Sequence, residues 1–275
     1  MIVTEYADVP TLWREAEAFL SRDPANNTHQ LSAIKRILDL GARGGERFFA
    51  VRAEHDVLVG SALVVDTQTL FMSLMDADVV TALATHLRDA TVPLAGVIGR
   101  GDVLKAFTEN FMQPFGVHVN LMLYCLEGNP AFGRASGSAR LASMDDLSLL
   151  MDWHAAFEQE VSMIAVPTPL KERVTRRIRD QQLTLWIDDG TTLSFAGANA
   201  LPAASARIGP VYTPPGLRGR GYAQAVTAAA SLQVQSDEPR TVFLFTDAIN
   251  PASNKAYQRI GYRHIADHAH LLFES

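Results

Sequence analysis

Apolar residues recur along the second half of the chain at two spacings, and each spacing predicts one kind of element. From Leu147 to Phe157 they stand three and four positions apart, which is typical of one face of a helix. The stretch "LTLWID" alternates apolar and polar residues, as a half-buried strand does. The pattern predicts the order ααβββαβαβ, with helices over residues 143–161, 168–182, 221–235 and 250–262 and strands over 183–188, 192–200, 205–212, 241–245 and 268–273.

The first half repeats nearly the same order of elements with a different sequence. This repetition of pattern indicates two copies of one fold. One difference is informative, because no glycine-rich loop stands between the third strand and the following helix of the first half. Helices are predicted there over 10–21, 29–40, 76–90 and 102–111, and strands over 47–53, 57–65, 69–75, 93–99 and 117–126.

A stretch of small residues separates the halves. Residues 127–142, "EGNPAFGRASGSARLA", are rich in Gly and Ser and have no apolar period, which is typical of a linker or a domain entry. The length of 275 residues exceeds that of one typical domain. We therefore expect two domains, 1–133 and 134–275, of which only the second carries a glycine-rich loop.

Charge and cysteine content exclude several classes of protein. A net charge of −6 argues against a partner that is nucleic acid or an anionic membrane. Residues 1–133 hold 10 Lys+Arg and 16 Asp+Glu, whereas 134–275 hold 14 of each, so a local basic site is expected in the second half. The single cysteine, Cys125, excludes an intrachain disulfide and is expected to be a buried, inert thiol. With no signal peptide or transmembrane helix apparent, we predict a cytoplasmic protein.

The glycine-rich loop lies in "YTPPGLRGRGYAQAV", Tyr212 to Val226, between a predicted strand and a predicted helix. The first amide hydrogens of a helix have no intrahelical acceptor, and the aligned peptide dipoles add about half a positive charge there. Glycines let the backbone approach a ligand closely. The loop therefore predicts a phosphate site, to which Arg218 and Arg220 can add charge-assisted contacts.

Three other uses of such a loop fit poorly. A P-loop needs a Gly-Lys-Ser/Thr ending, which is absent. A dinucleotide fingerprint needs a third glycine, and "GRGYAQA" lacks it. RGG-type RNA binding needs repeats in a disordered context, whereas this is a single copy between a strand and a helix.

The loop and the segment after it resemble the GNAT N-acetyltransferase superfamily. "RGRGYA" fits the pyrophosphate signature R/Q-x-x-G-x-G/A, and "FTDAINPASNKAYQRIGY" follows at family spacing. The whole chain resembles the tandem subgroup with a degenerate N-terminal copy. This resemblance implies an α/β (α+β mixed-sheet) fold of two GNAT-like domains. Each would be a mixed, mostly antiparallel sheet flanked by helices, and the sheet would splay open beyond the strand before the loop.

The resemblance also implies a role for particular residues. Tyr257 would stand beside the departing sulfur as a proton or hydrogen-bond donor, and a backbone N–H near Val211 would polarise the carbonyl. The co-substrate acetyl-CoA would be bound through its pyrophosphate by Arg218, Gly219, Arg220, Gly221, Tyr222 and Ala223, and through its pantetheine by strand residues Val211, Tyr212 and Thr213 and by Asn250 or Asn254.

The general base is not identified by the sequence. His154, Glu158 and Glu160 lie on the first helix of the second half, near where family members bind acceptors, but a structural role is the simpler interpretation of each. Gly216 stands where relatives often carry an acidic residue after "TPP", so this chain must act without it. His264, His268 and His270 lack a fourth ligand, so no metal is expected.

The function predicted on this basis is direct transfer of an acetyl group from acetyl-CoA to a primary amine of a small-molecule or amino-acid-like acceptor. Two alternatives stay open: a non-catalytic acyl-CoA-binding or regulatory module, and a protein N-acetyltransferase. A homodimer is compatible with the sequence, and the first half would be a lid, a dimer surface or part of the acceptor pocket.

Overall fold

The computed structural model describes residues 1–161, 166–236 and 238–274, which form two compact units. Unit 1 comprises Met1–Leu123 together with the residues from Ala266 onward, and unit 2 comprises Tyr124–Ile265. Unit 1 is thus built from two separate stretches of the chain. The limits of the predicted domains, 1–133 and 134–275, stay a prediction.

Unit 1 contains a mixed sheet in the strand order β1-β2-β3-β4-β5-β12. Strands β4 and β5 pair in parallel, and the other neighbours in this order pair antiparallel. The elements are β1 Ile2–Tyr6, α1 Val9–Leu20, α2 Thr28–Leu40, β2 Arg47–Arg52, β3 Leu58–Val64, β4 Thr69–Met72, α3 Ala77–Asp89, β5 Gly96–Arg100, α4 Gly101–Phe111 and β6 Phe115–Leu126.

Helices cover both faces of this sheet, and strand β2 shows how the sequence achieves it. Phe49 and Val51 point into the core formed with α3 and α4. Phe48 and Ala50 point into the core formed with α1 and α2. Because side chains alternate across a strand, a strand buried on both faces reads as the continuous apolar run seen here.

Within unit 2 the strand order is β11-β10-β9-β8-β7, and the pairing is again mixed. Here β10 and β11 pair in parallel and the other neighbours pair antiparallel. The elements are β7 Ser138–Leu141, α5 Leu147–Glu160, α6 Leu170–Arg179, β8 Leu183–Asp188, β9 Thr191–Leu201, β10 Ser205–Tyr212, α7 Tyr222–Val234, β11 Thr241–Asp247, α8 Pro251–Ile260 and β12 Arg263–Phe273.

The core of unit 2 places α5 and α6 on one face of its sheet. Leu150 and Val174 from these helices pack with Phe195 of β9 and Tyr212 of β10. On the other face, α7 is buried from Ala225 to Ser231. Its small side chains let the helix approach the sheet closely, because close-packed interiors leave few voids.

Every helix and strand predicted from the sequence is present, and the mixed α/β fold class is confirmed. Two strands were not predicted, β1 and β7, and β7 lies inside the expected linker. Each is the first element of its half. With them both halves follow the order βααβββαβαβ, which strengthens the repeat that the sequence pattern indicated.

Two strands pass from one unit into the other. β6 begins in unit 1 and ends in unit 2, and β12 begins in unit 2 and ends in unit 1. Within unit 1, residues 268–272 pair antiparallel with residues 96–100 of β5. Residues 266–273 of β12 therefore belong to unit 1, although they follow all the elements of unit 2 in the sequence.

No helix in the described part of the chain is long and apolar enough to span a membrane.

Candidate active site

The candidate site lies in unit 2, where strands β10 and β11 part. They pair in parallel from Ser205 to Ile208, yet β10 continues to Tyr212 and β11 to Asp247. Between Ile208 and Val211 the register with β9 shifts, and beyond it β10 pairs with β9 alone among the described residues. The opening that the resemblance implied is present, and an extended ligand can pair with the strand edge it exposes.

The loop that follows β10 exposes a row of amide hydrogens. The N–H groups of six consecutive residues, Gly219 to Gln224, donate to no described residue. The first paired amide is that of Ala225, which donates to the Gly221 carbonyl at 3.0 Å. Because α7 begins at Tyr222, the positive end of its helix dipole lies beside these amides. These groups together can bind an anion such as a pyrophosphate.

Two glycines give this loop its shape. Gly219 and Gly221 have φ angles of +79° and +86°, in the left-handed region that other residues rarely adopt. An added Cβ at Gly219 would meet no atom within 4 Å, and one at Gly221 would meet only the Ala135 Cβ at 3.7 Å. The loop therefore requires glycine at these positions because of the φ angles, and not because a larger side chain would clash with a neighbour.

The two arginines of the loop lie in different environments. Arg218 donates from Nε to the Thr213 carbonyl at 2.8 Å and from Nη2 to both carboxylate oxygens of Glu160, at 2.8 and 2.7 Å. Its guanidinium also lies 5.6 Å from the Tyr212 ring centroid. Arg220 is exposed, forms no ion pair with a described residue, and has only a long 3.5 Å contact with the Gly216 carbonyl. Arg220 is thus the arginine that is available to an incoming phosphate.

The strand residues before the loop are held by a small hydroxyl network. Ser194 of β9 donates to the Tyr212 carbonyl at 2.8 Å, and its Oγ lies 2.8 Å from Thr213 Oγ1. Because the Ser194 hydrogen is used on Tyr212, Thr213 must be the donor in the second bond. Val211 pairs with Ala196 of β9. The network fixes the backbone from Val211 to Thr213 and leaves its other edge turned toward the opening.

The two asparagine candidates differ in how their side chains are used. The Asn250 side chain accepts from the Ser253 N–H at 3.1 Å and so caps the start of α8. Asn254 donates from Nδ2 toward the Asp247 and Ala248 carbonyls, each at 3.4 Å. Its Oδ1 is buried without a hydrogen-bond partner among the described residues. Asn254 therefore has an unused acceptor beside the end of β11, whereas Asn250 has a structural task.

Tyr257 lies on α8 among aromatic neighbours. Its ring centroid is 6.5 Å from that of Tyr124 and 6.2 Å from that of Tyr262. Burial raises the pKa of the Tyr257 phenol to about 12, so the phenol is protonated at neutral pH. No hydrogen bond or ring contact within the described residues joins Tyr257 to the loop. A ligand lying in the opening would have to connect the two.

The three candidate bases on α5 are not poised for proton abstraction. His154 is buried, and burial lowers the pKa of its imidazole to about 3, with smaller contributions from Arg177 and Arg173. Glu158 accepts from Arg173 at 2.6 and 3.0 Å, and Glu160 is paired with Arg218. The simpler structural interpretation of these residues therefore fits their contacts. The pairing of Glu160 with Arg218 was not predicted, because 58 residues separate the two positions.

Unit 1 lacks the features of this site at the matching place. Its parallel pair β4 and β5 is hydrogen-bonded through Phe71, the last but one residue of β4. The Gln30 amide donates to the Phe71 carbonyl at 2.9 Å. Asp76 and Asp78 stand at the start of α3, where their charges would repel a phosphate. The sequence between β4 and α3 has no glycine-rich loop.

Two side observations complete the site chemistry. In the described part of the chain no group of three or more His, Cys, Asp or Glu side chains is arranged to hold a metal ion. Cys125 is buried, as expected, and burial raises the pKa of its thiol to about 11, which disfavours the reactive thiolate.

A family model described as "FR47-like protein" matches residues 173–271, a range that includes β10, the glycine loop and Tyr257. Solved structures of GNAT proteins match nearly the whole chain. Residues 173–271 are thus similar to the FR47-like family, and the chain as a whole has the fold of GNAT proteins. No curated protein is similar enough in sequence to count as a relative.

Three solved structures illustrate the similarity of fold. A GNAT-family acetyltransferase from Colwellia psychrerythraea is 15% identical and superposes with a TM-score of 0.64, covering 100% of this chain and 99% of its own. A GCN5-related N-acetyltransferase from Sphaerobacter thermophilus is 17% identical, with a TM-score of 0.62 over 98% and 94%. A tandem GNAT protein from the clavulanic acid biosynthesis pathway is 13% identical, with a TM-score of 0.59 over 98% of each chain. The GNAT fold of the superfamily thus extends over both units, as the resemblance predicted.

Proposed function

We propose that unit 2 is an acetyl-CoA-dependent N-acetyltransferase that acts on a primary amine of a small-molecule or amino-acid-like acceptor. The GNAT fold supports acyl transfer in general. The observation that carries the finer proposal is the row of six unpaired amides beside the opening between β10 and β11. The amides would hold the pyrophosphate, and the exposed edge of β10 would pair with the peptide-like pantetheine.

In this reaction the acceptor nitrogen attacks the thioester carbonyl carbon, the C–S bond breaks, and the amine proton leaves to solvent. Binding both substrates in one complex supplies the orientation that the reaction needs. A backbone N–H near Val211 would polarise the carbonyl. Tyr257 would donate a hydrogen bond to the departing sulfur. With a phenol pKa of about 12 against a thiol near 8.5, full proton transfer would cost about 5 kcal/mol, so the hydrogen bond is the main contribution.

The acceptor must lose a proton although no residue is set as its base. Deprotonating a lysine-like amine at pH 7 costs about 4.6 kcal/mol, whereas an amine with a pKa near 8 costs about 1.4 kcal/mol. The engaged state of His154, Glu158 and Glu160 therefore favours an acceptor of low basicity, deprotonated through water.

The same observation favours a second candidate, a non-catalytic acyl-CoA-binding or regulatory module. Such a module would need the amide row and the opening, but neither a base nor a donor at Tyr257. Release of free thiol from acetyl-CoA in the presence of a panel of amines separates the candidates, because only an enzyme turns over. A protein acceptor would show instead as turnover with peptides and none with small amines.

The first prediction concerns Arg220, the exposed arginine of the loop. Changing Arg220 to Glu replaces a charge-assisted contact with repulsion, and we expect the Kd for acetyl-CoA, measured by calorimetry, to rise about tenfold or more. Arg14→Glu makes the same charge change at an exposed position of unit 1 and should leave the Kd unaltered. Equal affinity in the wild type and Arg220→Glu would contradict the assigned phosphate site.

A further inference from the structure

The face of the unit 2 sheet that packs against α5 and α6 carries two arginines that the proposed chemistry does not use. Arg177 of α6 reaches over β9 and donates from Nη2 to the Gly209 carbonyl of β10 at 2.7 Å. Gly197 makes room for it, since an added Cβ there would overlap the same nitrogen. Arg207 lies on the same face, because it pairs with Asn199, two residues beyond Gly197 along β9.

Neither guanidinium has a counterion within the described residues. No described Asp or Glu forms an ion pair with Arg177 or Arg207, and Glu158 of α5 is paired with Arg173. Arg177 Nε is buried and has no hydrogen-bond partner among the described residues. Burial lowers the pKa of Arg177 to about 9, with smaller contributions from Arg207, Arg176 and Arg173, and burial also lowers the pKa of Arg207. Buried charges in proteins are as a rule paired.

The position of the pair indicates what could neutralise it. Gly209 directly follows Ile208, the last residue of β10 that pairs with β11. Arg177 therefore reaches the point where the opening begins, on the face of the sheet that α5 and α6 cover. The amide row that would hold the cofactor's phosphates is elsewhere, at the start of α7. An anion bound beside Gly209 would therefore belong to the acceptor rather than to the cofactor's pyrophosphate.

We propose that Arg177 and Arg207 bind a carboxylate of the acceptor, so that the acceptor class is an amine that also carries a carboxylate, as an amino acid does. The inference rests on the proposed function of the same site. A guanidinium fork matches the planar geometry of a carboxylate. A free carboxylate raises the pKa of the ammonium group in the same acceptor. When the two arginines neutralise that carboxylate, the pKa of the ammonium group falls and the amine proton is lost more easily, although no base is assembled.

The test compares an L-amino acid with its amide as acceptors, measured as the ratio of their kcat/KM values by thiol release. We expect the wild type to favour the acid, and Arg207→Gln to reduce that ratio about tenfold or more, because a charge-assisted bond is lost. Arg179→Gln, at an exposed position of α6, is the matched control and should keep the ratio. A ratio unchanged in Arg207→Gln overturns the proposal, as does a weakened acetyl-CoA affinity in that variant, which would assign Arg207 to the cofactor.

A failure of the proposed function is distinguishable from a failure of this inference. If no amine releases thiol from acetyl-CoA, the enzyme proposal fails, but calorimetric titration with N-acetylglycine and N-acetylglycinamide still tests the carboxylate site. We expect the wild type to bind the acid more tightly than the amide and Arg207→Gln to lose that difference. Equal affinities for the two in the wild type overturn the proposal. Arg177→Lys, which keeps the charge at Gly209, provides a second variant should Arg207→Gln fold poorly.

Discussion

Arg218 and Arg220 stand two residues apart in one motif, yet their surroundings give them different tasks. Arg218 is fixed by Thr213 and Glu160, so it stabilises the loop and ties it to the end of α5. Arg220 makes no such bonds. The motif identifies both arginines, but their partners come from distant positions in the sequence. Residue roles that depend on such contacts could not be predicted from local pattern.

Tyr257 allows a direct test of the enzyme proposal. Tyr257→Phe removes only the phenol oxygen, which makes no hydrogen bond to a described residue, so the fold should be unaffected. We expect kcat to fall about 10²-fold while the Kd for acetyl-CoA is kept, because the donor acts mainly on the departing sulfur. Turnover equal to the wild type would show that Tyr257 is only a packing residue.

The pH profile provides a control for the same residue. The phenol pKa of about 12 keeps the donor protonated well above pH 10, where an ordinary tyrosine is already half ionised. Ionisation of Tyr257 should therefore not lower the wild-type rate up to pH 10. The contrary result would be a fall in rate with rising pH that is present in the wild type and absent in Tyr257→Phe. Such a loss would mean that Tyr257 ionises with an ordinary pKa.

His154 leads to a prediction about stability rather than catalysis. The pKa of its imidazole is about 3 in the folded chain against 6.5 as its ordinary value. Between these values the unfolded chain binds a proton that the folded chain does not, so stability falls as the pH falls. From pH 7 to pH 5 the loss from this residue is about 2 kcal/mol.

Urea unfolding followed by tryptophan fluorescence measures this difference. His154→Phe keeps an aromatic ring against Phe195, whose centroid lies 4.7 Å from that of the imidazole, and it should lose less stability than the wild type between pH 7 and pH 5. His264→Phe, at an exposed position, should behave as the wild type does. If His154→Phe and the wild type lose the same free energy of unfolding between pH 7 and pH 5, the prediction is wrong.

At the scale of elements, the sequence predicted the helices and strands in which the apolar pattern continues over many residues. It missed β1 and β7, which are short strands with partly polar, exposed residues. β7 also follows a Gly- and Ser-rich run, so composition outweighed a four-residue pattern. Edge strands bury one side at most, and their apolar signal is correspondingly weak.

The turn from β10 into α7 depends on backbone conformation, which two matched glycine variants can test. Gly221→Ala places a Cβ on a residue with φ of +86°, so the loop must strain or reshape and the amide row is displaced. Gly216→Ala adds the same methyl group in the same loop, at a residue without positive φ and with no atom within 4 Å.

We expect Gly221→Ala to weaken acetyl-CoA binding about tenfold or more in calorimetry, while Gly216→Ala binds as the wild type does. Circular dichroism would show that both variants keep the helix content. Unaltered affinity in Gly221→Ala would mean that the amide row is not the phosphate site. Equal weakening in both variants would point to the loop's general flexibility instead.

At the scale of the whole molecule, the repeat was readable from the sequence, but the pairing of β12, the last strand, with β5 of unit 1 was not. The pattern predicts strands over 117–126 and 268–273, yet it carries no information on which strand each will pair with. Pairing partners follow from the tertiary fold. The contact of Arg177 with the Gly209 carbonyl was not predicted for a related reason, because a basic helix is typical of a solvated surface.

The two units share their order of elements but differ at the place that corresponds to the proposed cofactor site. In unit 1 the paired strands β4 and β5 leave no opening, and Asp76 and Asp78 oppose a phosphate. We therefore expect calorimetry to find one acetyl-CoA per chain, and Arg220→Glu to weaken that single binding event. Replacing Asp76 and Asp78 together by Asn should not add a second event, because the closed strand pair is unaltered. Two binding events per chain in the wild type would show that unit 1 is a cofactor site in its own right.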